Sequence, residues 1–309
     1  MSYHPTVMVF PGQGSQYPGM LDAVPENDTL HRLVDAAEAL SGIDLRAIAG
    51  ESAAPESLAD TRVAQPLLYL TDWAWGVSLL EIGLEPVAVA GHSLGELAAL
   101  AIAGAYSVEA GLELVIERSR LMAQAADAVP GTMAAVLGLS RTRVSDAISP
   151  LEGVWVANDN SKGQVVISGT SSSVAAASGI LLETGARRVV PLKVAGAFHS
   201  PLMEPARHAF EELLSGTEFR DATIPVIQNT DPFPATDAET LRFRLAAQIS
   251  APVRWTETVE VIAGHAPVVM IEAGPGVVLR GLARGVEGVT AVSVEDAGLE
   301  HIMEEVIVR

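Results

Sequence analysis

Gly91-His92-Ser93-Leu94-Gly95 fits the pattern Gly-x-Ser-x-Gly. The small-residue run "EPVAVAG" (85–91) leads into it, and a helical pattern starts at once behind it. Such a corner suits a serine used as a nucleophile. Small neighbours relieve a crowded backbone, the turn lifts the hydroxyl clear of the sheet, and the helix N-terminus offers N–H groups to negative charge. The same residues also fit a plain tight turn with Ser93 as a helix cap. A serine hydroxyl needs a base, and seven histidines are available: His4, His31, His92, His199, His208, His265 and His301. His92 stands beside Ser93, so its side chain is expected to point elsewhere. His199, in "VAGAFHSPLM" (194–203), lies where a small subdomain is expected to hand back to the main fold. Such junction loops often carry catalytic side chains, which makes His199 the best of the seven.

A third feature is "PGQGSQ" (11–16), directly behind a first apolar run. Its glycines let backbone N–H groups approach a ligand. At the C-terminal edge of a parallel strand, such a loop can supply an oxyanion donor to a serine on the next strand. An ordinary glycine turn accounts for the same residues. No Lys-Ser/Thr follows, and the dinucleotide glycine spacing is not met, so this is not a phosphate loop.

These residues need a scaffold, and the chain spells one out. "TVMVF" (6–10) reads as a buried strand and "DTLHRLVDAAEAL" (28–40) as an amphipathic helix. "PLLYLTDWAWGVSLLEIG" (66–83) reads as a long buried helix, with further helices expected over about 94–104 and 108–127. The rhythm then changes to strand (132–139), helix (140–149), two strands (154–158 and 164–169), helix (171–185) and strand (187–194). That β-α-β-β-α-β order is the ferredoxin-like unit. Strands at 224–228, 267–274 and 289–294, separated by helices, resume the first pattern. The expected fold is α/β: a mostly parallel core, discontinuous over 1–129 and 197–309, with an inset α+β subdomain over 130–196.

Composition narrows the function. Hydrophobic residues make up 49% and charged residues 18%, which is globular and not disordered. No apolar run is long enough to span a membrane, and the N-terminus lacks the basic region and cleavage site of a signal peptide. The chain has no cysteine, so disulfides, thiolate chemistry and cysteine-based metal sites are excluded, and a cytoplasmic setting is expected. The net charge of −19 argues against nucleic acid and anionic membranes as partners. Residues 118–198 run the other way, with eight basic against five acidic side chains. That segment is suited to an acidic partner, although scattered surface charge explains it equally well.

Eight stretches, in order, resemble the malonyl-CoA:acyl carrier protein transacylase family, which includes acyltransferase domains of polyketide and fatty acid synthases. They are "FPGQGSQYPGM", "VAQPLLYL", "GHSLGELAAL", "ERSRLM", "GQVVISG", "GAFHSPLM", "QISAPVRW" and "EAGPGVVLRGL". The resemblance implies an α/β-hydrolase-like core with a ferredoxin-like inset, and malonyl transfer from malonyl-CoA to a carrier protein by a ping-pong mechanism. It implies that Ser93 is acylated and that His199 is its base, oriented by a backbone carbonyl of Gln248 or its neighbour in place of a triad acid. Backbone N–H groups of Gln13 and Leu94 would form the oxyanion hole. Helical spacing leaves Arg118 and Arg120 equally placed beside the apolar face. The resemblance selects Arg118 to hold the malonyl carboxylate. It places Asn160 near the active site and Phe198 where an α-methyl group would sit. It implies no metal and no bound organic cofactor. Discrete family members often carry a smaller residue than Phe198, so the chain departs somewhat from the housekeeping pattern.

Three rivals share these features. A serine thioesterase or esterase would use the same corner, but that class places its histidine late, and His265 and His301 have no supporting motif. The chain would also serve as the acyltransferase subunit of a malonate decarboxylase complex. A non-catalytic interaction protein is disfavoured by the presence of Ser93, Arg118 and His199 together.

Overall fold

The computed structural model describes residues 4–25 and 27–306. The outermost residues of the expected discontinuous core, and the start of the stretch read for a signal peptide, lie outside the described residues. Among the described residues, nine strands run in chain order as β1 (Thr6–Phe10), β2 (Ala88–Gly91), β3 (Gly131–Leu137), β4 (Val154–Ser161), β5 (Gln164–Thr170), β6 (Arg188–Pro191), β7 (Val226–Ile227), β8 (Val268–Glu272) and β9 (Val289–Ser293). They form two sheets. One has the order β7-β2-β1-β8-β9 with parallel pairing throughout. The other has the order β4-β5-β3-β6 and is antiparallel. The expected α/β architecture with a mostly parallel sheet is therefore present, together with an antiparallel sheet built from the segment where the rhythm changes.

Strands β7, β2, β1 and β8 of the parallel sheet are buried on both faces, which is why they read as apolar runs, while the edge strand β9 is partly exposed. Met8 and Phe10 join one hydrophobic cluster with Val89, Val269 and Ile271. Val7 and Val9 join the opposite cluster with Ala88, Ala90, Val268 and Met270. The first cluster is covered by the helices Asp28–Ser41, Thr61–Glu81, Gly95–Ile102 and Val108–Ala128. The second is covered by Trp255, Val259 and Ile262 of the helix Trp255–Ala263 and by Leu279.

In the antiparallel sheet, Ala134, Val136, Val165 and Ile167 face Val144, Ile148, Val174 and Leu181 of two helices. Met133 and Val166 point the other way, into the main cluster. Register shifts in β4 occur between Val156 and Asn158 and between Asp159 and Ser161. There β4, still paired with β5, also bridges Val253 of the larger body, with the Val253 N–H donating to Ala157 O at 2.9 Å. Bulges of this kind re-aim side chains next to functional sites.

Some boundaries differ from expectation for local reasons. The long helix begins at Thr61 and carries Pro66 inside it, because the Asp60 carboxylate accepts from the Arg62 N–H and caps the earlier start. The run read as a strand over 224–228 pairs only at Val226–Ile227, leaving Gln228 and Asn229 free to turn inward. The last helix, Val294–Val306, leaves helical backbone at Gly298. Among the described residues, no helix is long and apolar enough to cross a membrane.

Candidate active site

The C-terminal ends of β1 and β2 open into one cavity of about 440 Å³, the place where parallel α/β sheets hold ligands. Ser93 follows β2 with φ 52, and His199 has φ 56. Among the described residues these are the two non-glycine side chains in the left-handed region. Such backbone costs about 1–3 kcal/mol per residue and persists where surrounding contacts over-determine it.

The flanking glycines are explained by contact. A Cβ on Gly91 would lie 2.0 Å from Gly95 C, and one on Gly95 would lie 2.1 Å from Phe10 O. A Cβ on Gly12 would lie 2.3 Å from His92 O, so the Pro11–Gln16 loop packs directly on the corner. Ser93 does not cap the helix. The helix runs from Gly95 to Ile102 with Leu94 in the cap position, where geometry leaves the Leu94 N–H without an intrahelical acceptor. The plain-turn reading of Ser93 as a side-chain cap is thereby corrected.

His199 Nε2 lies 2.8 Å from Ser93 Oγ. The other ring nitrogen, Nδ1, lies 3.0 Å from the backbone carbonyl of Gln248. A carbonyl only accepts, so Nδ1 carries the proton and Nε2 is left to accept from the serine hydroxyl. Burial and the nearby Arg118 cation hold the imidazole down to about 3. It is therefore neutral, and able to take a proton, at neutral pH.

Arg118 is 1% exposed. Its Nη1 donates to Gln65 Oε1 at 2.6 Å, and its Nη2 donates to Gln248 Oε1 at 2.8 Å and Ser93 Oγ at 3.3 Å. Its Nε is buried without a partner, and among the described residues it forms no salt bridge. Desolvation lowers it to about 10, against the opposing pull of Glu96, so it stays charged at neutral pH. A buried cation held by two neutral amides, with no salt bridge among the described residues, has the chemistry to take an anion. Arg120, which helical spacing could not separate from Arg118, is exposed and paired with Glu117 at 2.6 Å.

Gln13, Leu94, Phe198 and Asn160 line the same cavity as Ser93, Arg118 and His199. The Gln13 side chain accepts from Thr61 Oγ1 at 2.8 Å, which fixes the loop. Asn160 Oδ1 accepts from His92 Nε2 at 2.9 Å, so His92 turns away from Ser93 as expected. Gln248 lies behind the cavity wall. Beyond its two contacts above, its Nε2 donates to Ser93 O at 2.7 Å.

A profile of the acyl transferase domain matches residues 7–299. The chain belongs to the acyl transferase domain family. It is 41% identical over 280 residues, 90% of this chain and 92% of the other, to the malonyl CoA-acyl carrier protein transacylase of Synechocystis sp.. The crystal structure of FabD from Acinetobacter baumannii superposes with a TM-score of 0.89 at 37% identity, covering 99% of each chain. A solved complex of a type II PKS acyl-carrier protein with its malonyl-transacylase superposes with a TM-score of 0.88 at 36% identity, covering 98% of this chain and 99% of that one.

Within this acyl transferase domain, sequence reasoning missed Gln65, Glu96 and Asn229. Gln65 lies inside "VAQPLLYL", which carried the resemblance but was given no role. Glu96 is fully buried, and desolvation raises its carboxyl to about 7 despite hydrogen bonds from Asn229 and Gln228. Asn229 follows β7, the edge strand paired with β2, but lies far from Ser93 in sequence, and no local pattern marks it.

Proposed function

We propose that this acyltransferase moves a malonyl group from malonyl-CoA to the phosphopantetheine thiol of an acyl carrier protein through a seryl ester. The observation that carries the reading is one oxygen between two nitrogens. Ser93 Oγ lies 2.8 Å from the basic nitrogen of His199 and 3.3 Å from a guanidinium that forms no salt bridge among the described residues. In the first half-reaction Ser93 gives its proton to His199 Nε2 while its Oγ bonds to the thioester carbon. The oxyanion that forms is met by the Gln13 and Leu94 N–H groups. Collapse breaks the C–S bond, and the departing sulfur takes the proton from His199 as free CoA. In the second half-reaction the carrier thiol gives its proton to His199 and attacks the ester, and Ser93 leaves with that proton. Arg118 grips the malonyl carboxylate and fixes the carbonyl over Ser93.

The resemblance supports reading the two sheets as an α/β-hydrolase-like core and a ferredoxin-like inset over 130–196. Lys162, Arg187, Arg188 and Lys193 are exposed on that segment, and Lys193 also lines the cavity. They suit the phosphates of CoA and an acidic carrier surface. The chemistry calls for no metal or bound cofactor, and a cysteine-free enzyme of this kind suits the cytoplasm.

Incubation with malonyl-CoA is expected to add one malonyl group to the intact mass, located on Ser93. The absence of cysteine excludes a competing thioester adduct. Passage of that group to a carrier thiol supports transfer. Release as free malonate with none reaching the carrier would instead mark a hydrolase.

Two further outcomes follow from the geometry. His199 is pushed down to about 3 by burial, Arg118 and His92, so its neutral form persists at all higher pH. Burial also lowers His92, which lines the cavity, whereas desolvation pushes the Glu96 carboxyl, which faces Arg118 and Tyr106, up to about 7. The kcat/KM profile of Glu96→Gln, which lacks that group, is expected to show no acid limb between pH 5 and 8. A limb near 6.5 in that variant would mean an ordinary imidazole. Phe198 is buried against the cavity. Phe198→Ala is expected to raise kcat/KM for methylmalonyl-CoA relative to malonyl-CoA by about tenfold or more, the usual worth of room for one methyl group. An unchanged ratio in competition assays would assign Phe198 to packing alone.

A further inference from the structure

We propose that Asn229 is a positioning residue for the nucleophile, a clamp that holds the Ser93 corner in its left-handed geometry and is itself held by Glu96. The inference rests on Ser93 being the acylated residue. Asn229 is 0% exposed and sits just past β7. Its Oδ1 accepts from the Ser93 N–H at 2.7 Å, and its Nδ2 donates to the Gly91 carbonyl. One carboxamide thus closes a bridge across both sides of the corner. Both of its partners are main-chain groups of fixed polarity, so its orientation is determined.

The clamp is anchored in turn. The Asn229 N–H donates to Glu96 Oε2 at 2.7 Å, and Gln228 Nε2 donates to Glu96 Oε1 at 3.1 Å. The Asn229 carbonyl accepts from the Arg254 N–H at 3.1 Å. Glu96 belongs to the helix that starts directly behind Ser93. The strand end and the helix start are therefore tied through a residue that is distant in sequence. On the opposite side, Gln248 Nε2 holds the Ser93 carbonyl at 2.7 Å. The Ser93 peptide groups are gripped at both ends by side chains, which over-determines a backbone at φ 52. The clamp has a second effect. It occupies the Ser93 N–H, so the donor that the corner presents to a developing oxyanion is the next one along, that of Leu94.

The test is single-turnover acylation of Asn229→Ala by malonyl-CoA, followed by intact mass. The acylation rate constant is expected to fall about 10²-fold, the cost of a small misplacement of reacting atoms. The malonyl-CoA concentration at half-maximal rate should stay within about threefold, because Arg118 and the cavity walls are untouched. Val144→Ala, on the helix Arg141–Ile148 packed against the antiparallel sheet, serves as a destabilised control. It should lower Tm while leaving the acylation rate unchanged. Should Asn229→Ala fail to fold, Glu96→Gln keeps the volume but turns one of the two acceptor oxygens into a donor, so it can no longer accept from both the Asn229 N–H and Gln228 Nε2. It is expected to slow acylation, by less than Asn229→Ala, again at constant half-saturation. Wild-type rates in both variants, or a loss that appears only in half-saturation, would overturn the clamp. If wild-type protein itself forms no adduct on Ser93, the acyl-enzyme reading fails instead, so the two failures are distinguishable.

Discussion

Ser93→Ala and His199→Ala are each expected to lower malonyl transfer to a carrier protein by about 10⁵–10⁶-fold, and the double variant by no more than either alone. The expectation follows from the 2.8 Å contact between Ser93 Oγ and His199 Nε2. Each group is inert without the other: the hydroxyl is a poor nucleophile until its proton has somewhere to go, and without the serine there is no ester for a thiol activated by the imidazole to attack. Removing one leaves the oxyanion donors and the arginine, which bind but cannot form the ester. The check is a carrier-loading assay read by mass, with thermal unfolding to show that the variants fold. If His199→Ala lost less than about 10²-fold, another base would be at work, and the mechanism above would be wrong in its central step.

Arg118→Ala is expected to lower kcat/KM for malonyl-CoA by about 10²–10³-fold, the worth of a desolvated charge-assisted pair. Acetyl-CoA, which has no carboxylate, should be used at least as well as before. The physical reason is that Arg118 also depresses His199. Deleting the cation moves the imidazole back toward its ordinary value and makes it a stronger base. On the proposed mechanism, a malonyl carboxylate paired with the guanidinium would give the same relief in the wild type, so the acid-tailed substrate would improve the base that acts on it. Arg118→Lys should not restore malonyl transfer, since an ammonium cannot hold Gln65, Gln248 and a carboxylate together as a planar fork does. The deletion leaves Gln65 Oε1 and Gln248 Oε1 without the donors they now accept from. Unfolding should therefore be measured alongside. Equal losses on malonyl- and acetyl-CoA would remove the carboxylate-holding role.

What could be read in advance was whatever the chain writes locally. Gly91, Ser93 and Gly95 stand in a five-residue window, and the steric reason for each glycine is a contact within that window or with the first strand. The apolar runs of β1, β2 and β8 announced a sheet covered on both sides. Arg118 was half legible. Periodicity offered two arginines, and only burial against Gln65 and Gln248 separates the one at the site from the one paired with Glu117. Gln248 was named for its backbone, yet its side chain also holds Arg118 and Ser93. Asn229 and Glu96 were not legible. Asn229 reaches Ser93 across 136 positions of sequence, from a strand only two residues long, and an asparagine in "IQNTDP" reads as turn chemistry.

The group that orients His199 is a peptide oxygen. In hydrolases that use an aspartate for this purpose, one nucleotide change can delete the orienting atom. Here no codon specifies it, because every amino acid at position 248 brings the same carbonyl. Genetic drift at that site can weaken the grip on Arg118 and Ser93 through the lost amide. It can strip the imidazole of its acceptor only by displacing the end of the helix Ala238–Gln248. The aim of the base is thereby written into the course of the main chain, and its durability under mutation is that of the helix itself.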